Sequence, residues 1–275
     1  MNILGIDFEE WYHLELVKEF IPQEKHKPSV INGIEKILEW LQKNDTVATF
    51  FVVGELLEQK NELLDMIIEN GHEIAFHTMH HNRLDSIGFK EKFLNEVNDF
   101  AKLTKHKSKG FRAPTFSLNQ SSAWALDVLS DNGYVYDSSV VPTKGKMYGI
   151  PNADIKPYKI SSRSLEKNDE QGKLLEFPLM VTKFFGKTIP AGGGFYLRTL
   201  PMKIIERAIE SYQRKEIPGV FYIHSWELTP EHMPKISLPF KNNFITYHNL
   251  DSALPKMTKL IQKFKFTSFE KFISS

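Results

Sequence analysis

Short apolar runs alternate along this chain with stretches whose apolar residues recur every three to four positions. Asn2–Ile6 and the β-branched, aromatic run Val47–Val53 predict strands, as do Glu73–Phe76, Gly110–Ala113, Tyr134–Tyr136 and Val220–Ile223. Between them, Val30–Leu41 places Ile31, Ile34, Ile37, Leu38 and Leu41 on one helical face, with Ser29 positioned to cap it. Leu56–Glu69 predicts a second helix, stopped at Gly71. Phe89–Leu103, Ser121–Ser130 and Met202–Lys215 predict three more. Strand–helix alternation of this kind argues for an α/β fold built on a parallel sheet, open or closed into a barrel.

From Pro142 to Gly194 the rhythm breaks. Pro142, Pro151, Pro157, Pro178, Pro190 and the run Gly192-Gly193-Gly194 predict an irregular insertion of loops and short strands covering one end of the sheet. No repeat, low-complexity tract or linker divides the chain. It therefore predicts one domain over residues 1–275, with an irregular insertion at 142–194 and a C-terminal extension at 240–275 packed on the rest.

Charge narrows the partners. Thirty-five Lys and Arg face 34 Asp and Glu, a net charge of +1, which argues against a general nucleic-acid or membrane-surface binder. Lys256, Lys259, Lys263, Lys265 and Lys271 read as the solvated face of a terminal helix. With no cysteine, disulfides and thiolate metal sites are excluded. No apolar run approaches the ~20 residues that span a bilayer. Met1–Asp7 already reads as a strand rather than a leader, so the expectation is a cytoplasmic protein.

Four of the ten histidines fall between His72 and His81. His77 and His81, four apart where an apolar strand ends, can turn two imidazoles toward one point, as a divalent metal taking nitrogen ligands requires. A histidine-rich polar turn is the alternative. A carboxylate from elsewhere would complete a two-histidine, one-carboxylate site. Other ionisable residues occupy equivalent places: Asp7 after the first strand, Arg112 after the fourth, Asp137 after the fifth and His224 after the last. In parallel α/β folds these strand ends gather at one face, where active sites form.

These residues resemble the motifs of the polysaccharide deacetylase family, the NodB-homology or carbohydrate esterase 4 group. His77-Thr78-Met79-His80-His81 with Leu84 matches the H-[ST]-x-x-H-x-x-L motif. Asp7-Phe8-Glu9-Glu10, Phe111-Arg112-Ala113-Pro114, Tyr136-Asp137-Ser138-Ser139 and Ile223-His224 correspond to its other motifs. The resemblance covers roughly residues 2 to 226. Asp7-Phe8-Glu9-Glu10-Trp11, Ala191-Gly192-Gly193-Gly194, His224-Ser225-Trp226-Glu227 and Phe264–Phe272 are similar to a branch associated with bacterial surface-polysaccharide biosynthesis.

The resemblance implies a distorted (β/α) barrel of the NodB type with seven parallel strands and an irregular insertion. It implies a metal-dependent hydrolase that removes N-acetyl groups from hexosamine units of a polysaccharide or its biosynthetic intermediate. Zn2+, or another divalent transition metal such as Co2+, Mn2+ or Ni2+, would be held by His77, His81 and Glu9, with Glu10 the other carboxylate in reach. Asp7 would act as base and His224 as acid. Arg112 would hold Asp7, and Asp137 would orient His224. The backbone N–H of Thr115 would stabilise the oxyanion, and Trp11, Trp226 and Tyr196 would stack on sugar. The chain departs from the family pattern in three places. Phe8 stands where a second aspartate is usual, Thr115 where an aromatic residue is usual, and Tyr222 where leucine is usual. The partner would be an N-acetylated sugar or polysaccharide, with no nucleic acid. Alternatives are a deformylase or amidase acting on a lipid-linked aminosugar or other small amide, and a non-catalytic carbohydrate-binding protein. The oligomeric state is not read from the sequence.

Overall fold

Every residue of strand β1 (Asn2–Phe8) is buried, which fits a strand covered on both faces and paired on both edges. In the computed structural model, which describes residues 1–275 (Gln23 by its backbone alone), β1 is an inner strand of a large curled sheet. The other strands are β2 (Thr49–Val52), β3 (Glu73–Phe76), β4 (Gly110–Phe111), β5 (Tyr136–Asp137), β6 (Tyr158–Ile160), β7 (Leu174–Glu176), β8 (Val181–Phe184), β9 (Lys187–Pro190), β10 (Val220–His224) and β11 (Phe266–Thr267). The order β10-β1-β2-β3-β4-β5-β7 is parallel throughout, seven strands in all. β6 adds an antiparallel edge beyond β7, and β11 pairs with Asn2 and Ile3 of β1.

The sheet is a half-barrel. β10 and β7 form no ladder; the gap between them is crossed by Met180 N–H donating to Val220 O (3.1 Å) and Tyr222 N–H donating to Gly192 O (2.7 Å).

Alternation along the strands sorts side chains onto two faces. Leu4, Ile6, Phe8, Phe50, Val52, Ile74, Phe76, Phe111, Phe221 and Ile223 face the surrounding helices. Ile3, Phe51, Ala75, Tyr136, Phe177, Val220 and Tyr222 form a separate inner cluster, closed from below by Phe269. By the same parity Asp7, His77, Arg112 and His224 belong to the inner face.

The helices differ from their sequence pattern where tertiary contacts intervene. The stretch 56–69 is two helices, Glu55–Gln59 and Leu63–Glu69. The helix Ile34–Lys43 buries Ile34, Ile37, Leu38 and Leu41 as its periodicity predicts. A short 3-10 turn, Val30–Gly33, precedes it, and Ser29 does not cap that turn through its side chain. Instead the Glu10 carboxylate accepts the backbone N–H groups of Ser29, Val30 and Ile31 at 2.8–3.1 Å. A remote carboxylate thus does the work of an N-cap.

The insertion is more regular than its prolines suggest. β7, within it, is the seventh parallel strand, and β8 and β9 form a separate hairpin. The C-terminal lysines are not one solvated face. Lys256 Nζ donates to the carbonyls of Leu197 and Arg198 at 2.9 Å and of Leu200 at 3.3 Å, which end the helix Gly194–Thr199. Among the described residues no helix is long and apolar enough to cross a membrane.

Candidate active site

Asp7 and His224 are register partners on the neighbouring strands β1 and β10. Both line a cavity of about 260 Å3 at the carboxyl ends of the strands, together with Glu9, His77, His81 and Thr115. Ser225 ties the two strand ends together: its hydroxyl accepts Glu9 N–H (3.1 Å) and donates to Glu9 O (2.8 Å).

Glu9, His77 and His81 are all buried, and one ligand atom from each lies within 4.8 Å of the others. The chain reaches this arrangement through left-handed backbone at Thr78 (φ 58°) and His81 (φ 53°), an uncommon conformation for such residues. The turn folds the His77 and His81 rings to 5.0 Å between centroids.

The donor set fits a divalent cation. His81 Nε2 and Glu9 Oε2 are 2.7 Å apart, yet they are not aligned as a hydrogen bond, and Glu9 Oε2 has no other partner among the described residues. His77 Nδ1–H donates to Arg112 O at 2.8 Å, which leaves Nε2 as its free lone pair. Burial lowers the His77 imidazole to about 4, so it is neutral and able to ligate at physiological pH. Burial alone would raise the Glu9 carboxyl; the surrounding His81, His224 and His77 outweigh it and hold Glu9 well below the usual carboxylate range. Glu10, the other candidate, is committed to the 29–31 backbone and faces away.

Trp226 secures Glu9 from behind, its Nε1–H donating to Glu9 Oε1 at 3.0 Å. It is 3% exposed and stacks on His224 (4.7 Å, 16°) while lining the cavity. Trp11 is not a platform. Its indole N–H donates to Lys27 O, it packs in a satellite cluster with Tyr12 and Val17, and it does not line the cavity. Tyr196 is half-buried and does line the cavity.

On the base side, Arg112 is fully buried and donates from Nη1 to Asp7 Oδ1 at 2.6 Å. Its other donors bind Ser138 O and Ser138 Oγ, and its guanidinium lies 3.9 Å over the Phe51 ring. Gly5 makes room for it: a Cβ there would sit 2.7 Å from Arg112 Nη1.

On the acid side the sequence expectation fails. Asp137 does not touch His224. Tyr136 occupies the inner face, so its neighbour Asp137 points outward, where its carboxylate accepts the Ser139 hydroxyl at 2.5 Å and lies beside Glu176. His224 Nδ1–H instead donates to Glu227 Oε2 at 2.8 Å. Glu227 is fully buried and accepts Arg198 Nε–H at 2.7 Å, while Arg198 also donates to the carbonyls of Ile245, Thr246 and His248. The triple-glycine run explains itself here, because a Cβ at Gly194 would collide with the Glu227 carboxylate. Burial alone would lower the His224 imidazole, but the Glu227 carboxylate outweighs it and His224 is raised to about 9. Glu227 and Arg198 had one legible signal: a glutamate three residues after a histidine at a strand-to-helix junction, where the two form a capping box.

A further support was missed altogether. His13 stacks on His81 (5.8 Å, 13°) and its Nε2 contacts Glu55 Oε1 at 3.0 Å, while His80 Nδ1 contacts Glu55 Oε2 at 2.8 Å.

Comparison with known proteins agrees with this geometry. Residues 30–136 match the model of the family described as polysaccharide deacetylase, and residues 138–274 match that of a domain of unknown function, DUF3473. A peptidoglycan deacetylase of Helicobacter pylori is 27% identical over 112 residues, 40% of this chain and 37% of that protein. A chitooligosaccharide deacetylase of Sinorhizobium fredii is 34% identical over 99 residues, 34% of this chain and 43% of that protein. The matched stretch thus spans less than half of either relative. In structure, a Mycobacterium smegmatis protein described as a polysaccharide deacetylase superposes with a TM-score of 0.61 at 14% identity, covering 99% of this chain and 89% of that one, which shows the shared fold. The chain thus carries, at residues 30–136, a domain that matches the polysaccharide deacetylase family of the NodB/carbohydrate esterase 4 type, on a fold shared with the Mycobacterium smegmatis protein.

Proposed function

We propose that the protein is a metal-dependent N-deacetylase of an N-acetylated hexosamine, free or within a saccharide. One observation carries the reading: the buried Glu9–His77–His81 set shares a single cavity with a carboxylate on one side and a raised-pKa imidazole on the other. Deacetylase activity in the two relatives named above supports it.

Glu9, His77 and His81 would hold a divalent transition metal, for which the mixed nitrogen–oxygen set suits zinc. Such an ion supplies Lewis acidity toward the amide carbonyl and lowers the pKa of water in its shell. Asp7, with Oδ1 held by Arg112, accepts the proton of the attacking water. The Thr115 backbone, in left-handed conformation at the cavity wall (φ 54°), contributes its N–H to the developing oxyanion. His224 is an imidazolium at neutral pH because Glu227 charges it, and it donates its proton to the nitrogen as the C–N bond breaks. An amine is too poor a leaving group to depart unprotonated. The products are acetate and the free amine. Tyr196, half-buried at the cavity wall, is positioned to face a sugar ring.

The test is elemental analysis of the purified protein together with acetate release from chito-oligosaccharides. Wild type is expected to carry about one transition metal per chain, lost in His77→Ala/His81→Ala. Asp7→Asn and His224→Ala are each expected to lose at least about 10^3-fold in turnover with metal retained. A folded protein that takes up no metal on reconstitution would sink the hydrolase and leave a carbohydrate-binding protein.

A further inference from the structure

Beside the catalytic cavity lies a second, larger cleft of about 800 Å3. The two share Met147, Tyr148, Tyr196 and Ile245, so a molecule seated over the metal ligands can continue into the cleft without leaving the surface. Its chemistry differs sharply from the rest of the chain. Cations and anions balance overall, 35 against 34, yet four lysines line this cleft, Lys144, Lys146, Lys187 and Lys241, and no Asp or Glu does.

All four are exposed, and among the described residues no carboxylate lies within salt-bridge distance of their ammonium groups. Some lysines elsewhere do find partners, as Lys36 does with Glu231, Lys167 with Asp154 and Lys263 with Glu206. Three separate segments contribute the four: the loop after β5, the β8–β9 hairpin and the helix Phe240–Tyr247. Concentrating one sign of charge from three segments in one concavity carries a repulsive cost, which an anionic ligand would relieve. A neutral N-acetylated sugar has no use for it.

We propose that this cleft binds a phosphate or diphosphate group carried by the acylated aminosugar, so that the substrate is an activated or carrier-linked sugar rather than a neutral polymer. The inference rests on the deacetylase reading of the adjoining cavity. Two carriers present the same group: a nucleotide and a polyprenyl lipid. The lipid has a physical basis here, because Phe185 and Phe240, 90% and 88% exposed, lie two and one residues in sequence from the cleft-lining Lys187 and Lys241.

The experiment uses the full chain with its metal. Binding of N-acetylglucosamine, its 1-phosphate and its uridine diphosphate ester is measured by calorimetry, and binding of its polyprenyl diphosphate in detergent micelles by equilibrium partition. Acetate release is followed in parallel. Phosphorylated ligands are expected to bind roughly tenfold to hundredfold more tightly than the neutral sugar, with the advantage falling as salt rises. In Lys144→Gln/Lys187→Gln/Lys241→Gln that advantage disappears, while the same three positions changed to Arg retain it. A tighter micellar ligand identifies the lipid carrier and a tighter uridine diphosphate ester the nucleotide; both support the site. Equal binding of neutral and phosphorylated sugars, or an advantage that survives the glutamine substitutions, overturns it. If charge-dependent binding is found without acetate release, the cleft stands and the deacetylase reading falls. If neutral chito-oligosaccharides are deacetylated and phosphate confers nothing, the reverse holds.

Discussion

The cavity at the strand ends and the outer face of the sheet between β5 and β7 both bury carboxylates completely, and the two settle them in opposite ways. In the cavity each acid faces a cation: Asp7 meets Arg112, Glu227 meets Arg198 and His224, and Glu9 lies 3.9 Å from His224. Burial would raise Glu227, but Arg198 and His224 hold it below the usual carboxylate range. On the outer face Asp137 and Glu176 meet each other. Burial raises Asp137 to about 6, and burial together with the neighbouring Asp137 charge pushes Glu176 well up, so the pair holds a proton. Burial by itself therefore does not decide whether a carboxyl is charged; the sign of the neighbour does. The first region can stabilise charge that moves during a reaction. The second is a structural contact in which two carboxyls share one proton.

The comparison breaks most violently if a cavity acid loses its cation. Arg198→Met leaves Glu227 buried without its guanidinium, as Asp137 is, and is expected to cost about 3–5 kcal/mol in urea unfolding. A loss under about 1 kcal/mol would mean that the ion pair is replaceable by packing. Next in size, Trp226→Phe keeps the ring but removes the donor to Glu9 Oε1. Metal affinity is expected to fall about 10- to 100-fold in a chelator competition, with the fold intact.

Glu227→Gln sharpens the acid side. His224, protonated in its active form, loses the carboxylate that raises it to about 9, so the alkaline limb of kcat moves to lower pH. Turnover at pH 8 should roughly halve as the limb reaches 8 and drop about tenfold for each unit it moves below that, with a smaller loss at pH 6. A uniform loss at every pH would show only a structural role for Glu227. The smallest effect belongs to the outer pair. Above the ordinary carboxylate value the unfolded chain has released a proton that the native pair still holds, so wild-type stability falls as pH rises through about 6. Glu176→Gln removes the Glu176 contribution while Asp137 stays buried, so its stability relative to wild type should improve between pH 5 and pH 8 without the decline vanishing.

Much of this was legible in the chain. Alternating strand and helix patterns pointed to the parallel sheet and six of its seven strands, the count of seven coming from the family resemblance, and His77, His81, Asp7 and His224 stand in one pocket. Glu9 and Glu10 could not be separated by sequence, because both follow a strand and both are carboxylates. What separates them is the position of the 29–31 backbone, which claims Glu10. The two tryptophans were legible as aromatic and not as donors, since an indole's role depends on which acceptor lies beside it.

The sequence by itself determined which residues could stand at the strand ends, because alternation and apolar periodicity are local properties with fixed periods of 2.0 and 3.6 residues. Only the tertiary structure decided which of them meet. The face on which Asp137 falls depends on where Tyr136 is seated, and Arg198, Glu227 and Gly194 converge from segments that share no local pattern. The four cleft lysines are likewise unremarkable one at a time, and become a site because three distant segments fold into one wall. Partner choice among charges is set by distance and dielectric across the folded chain, and neither is written in any short window of residues.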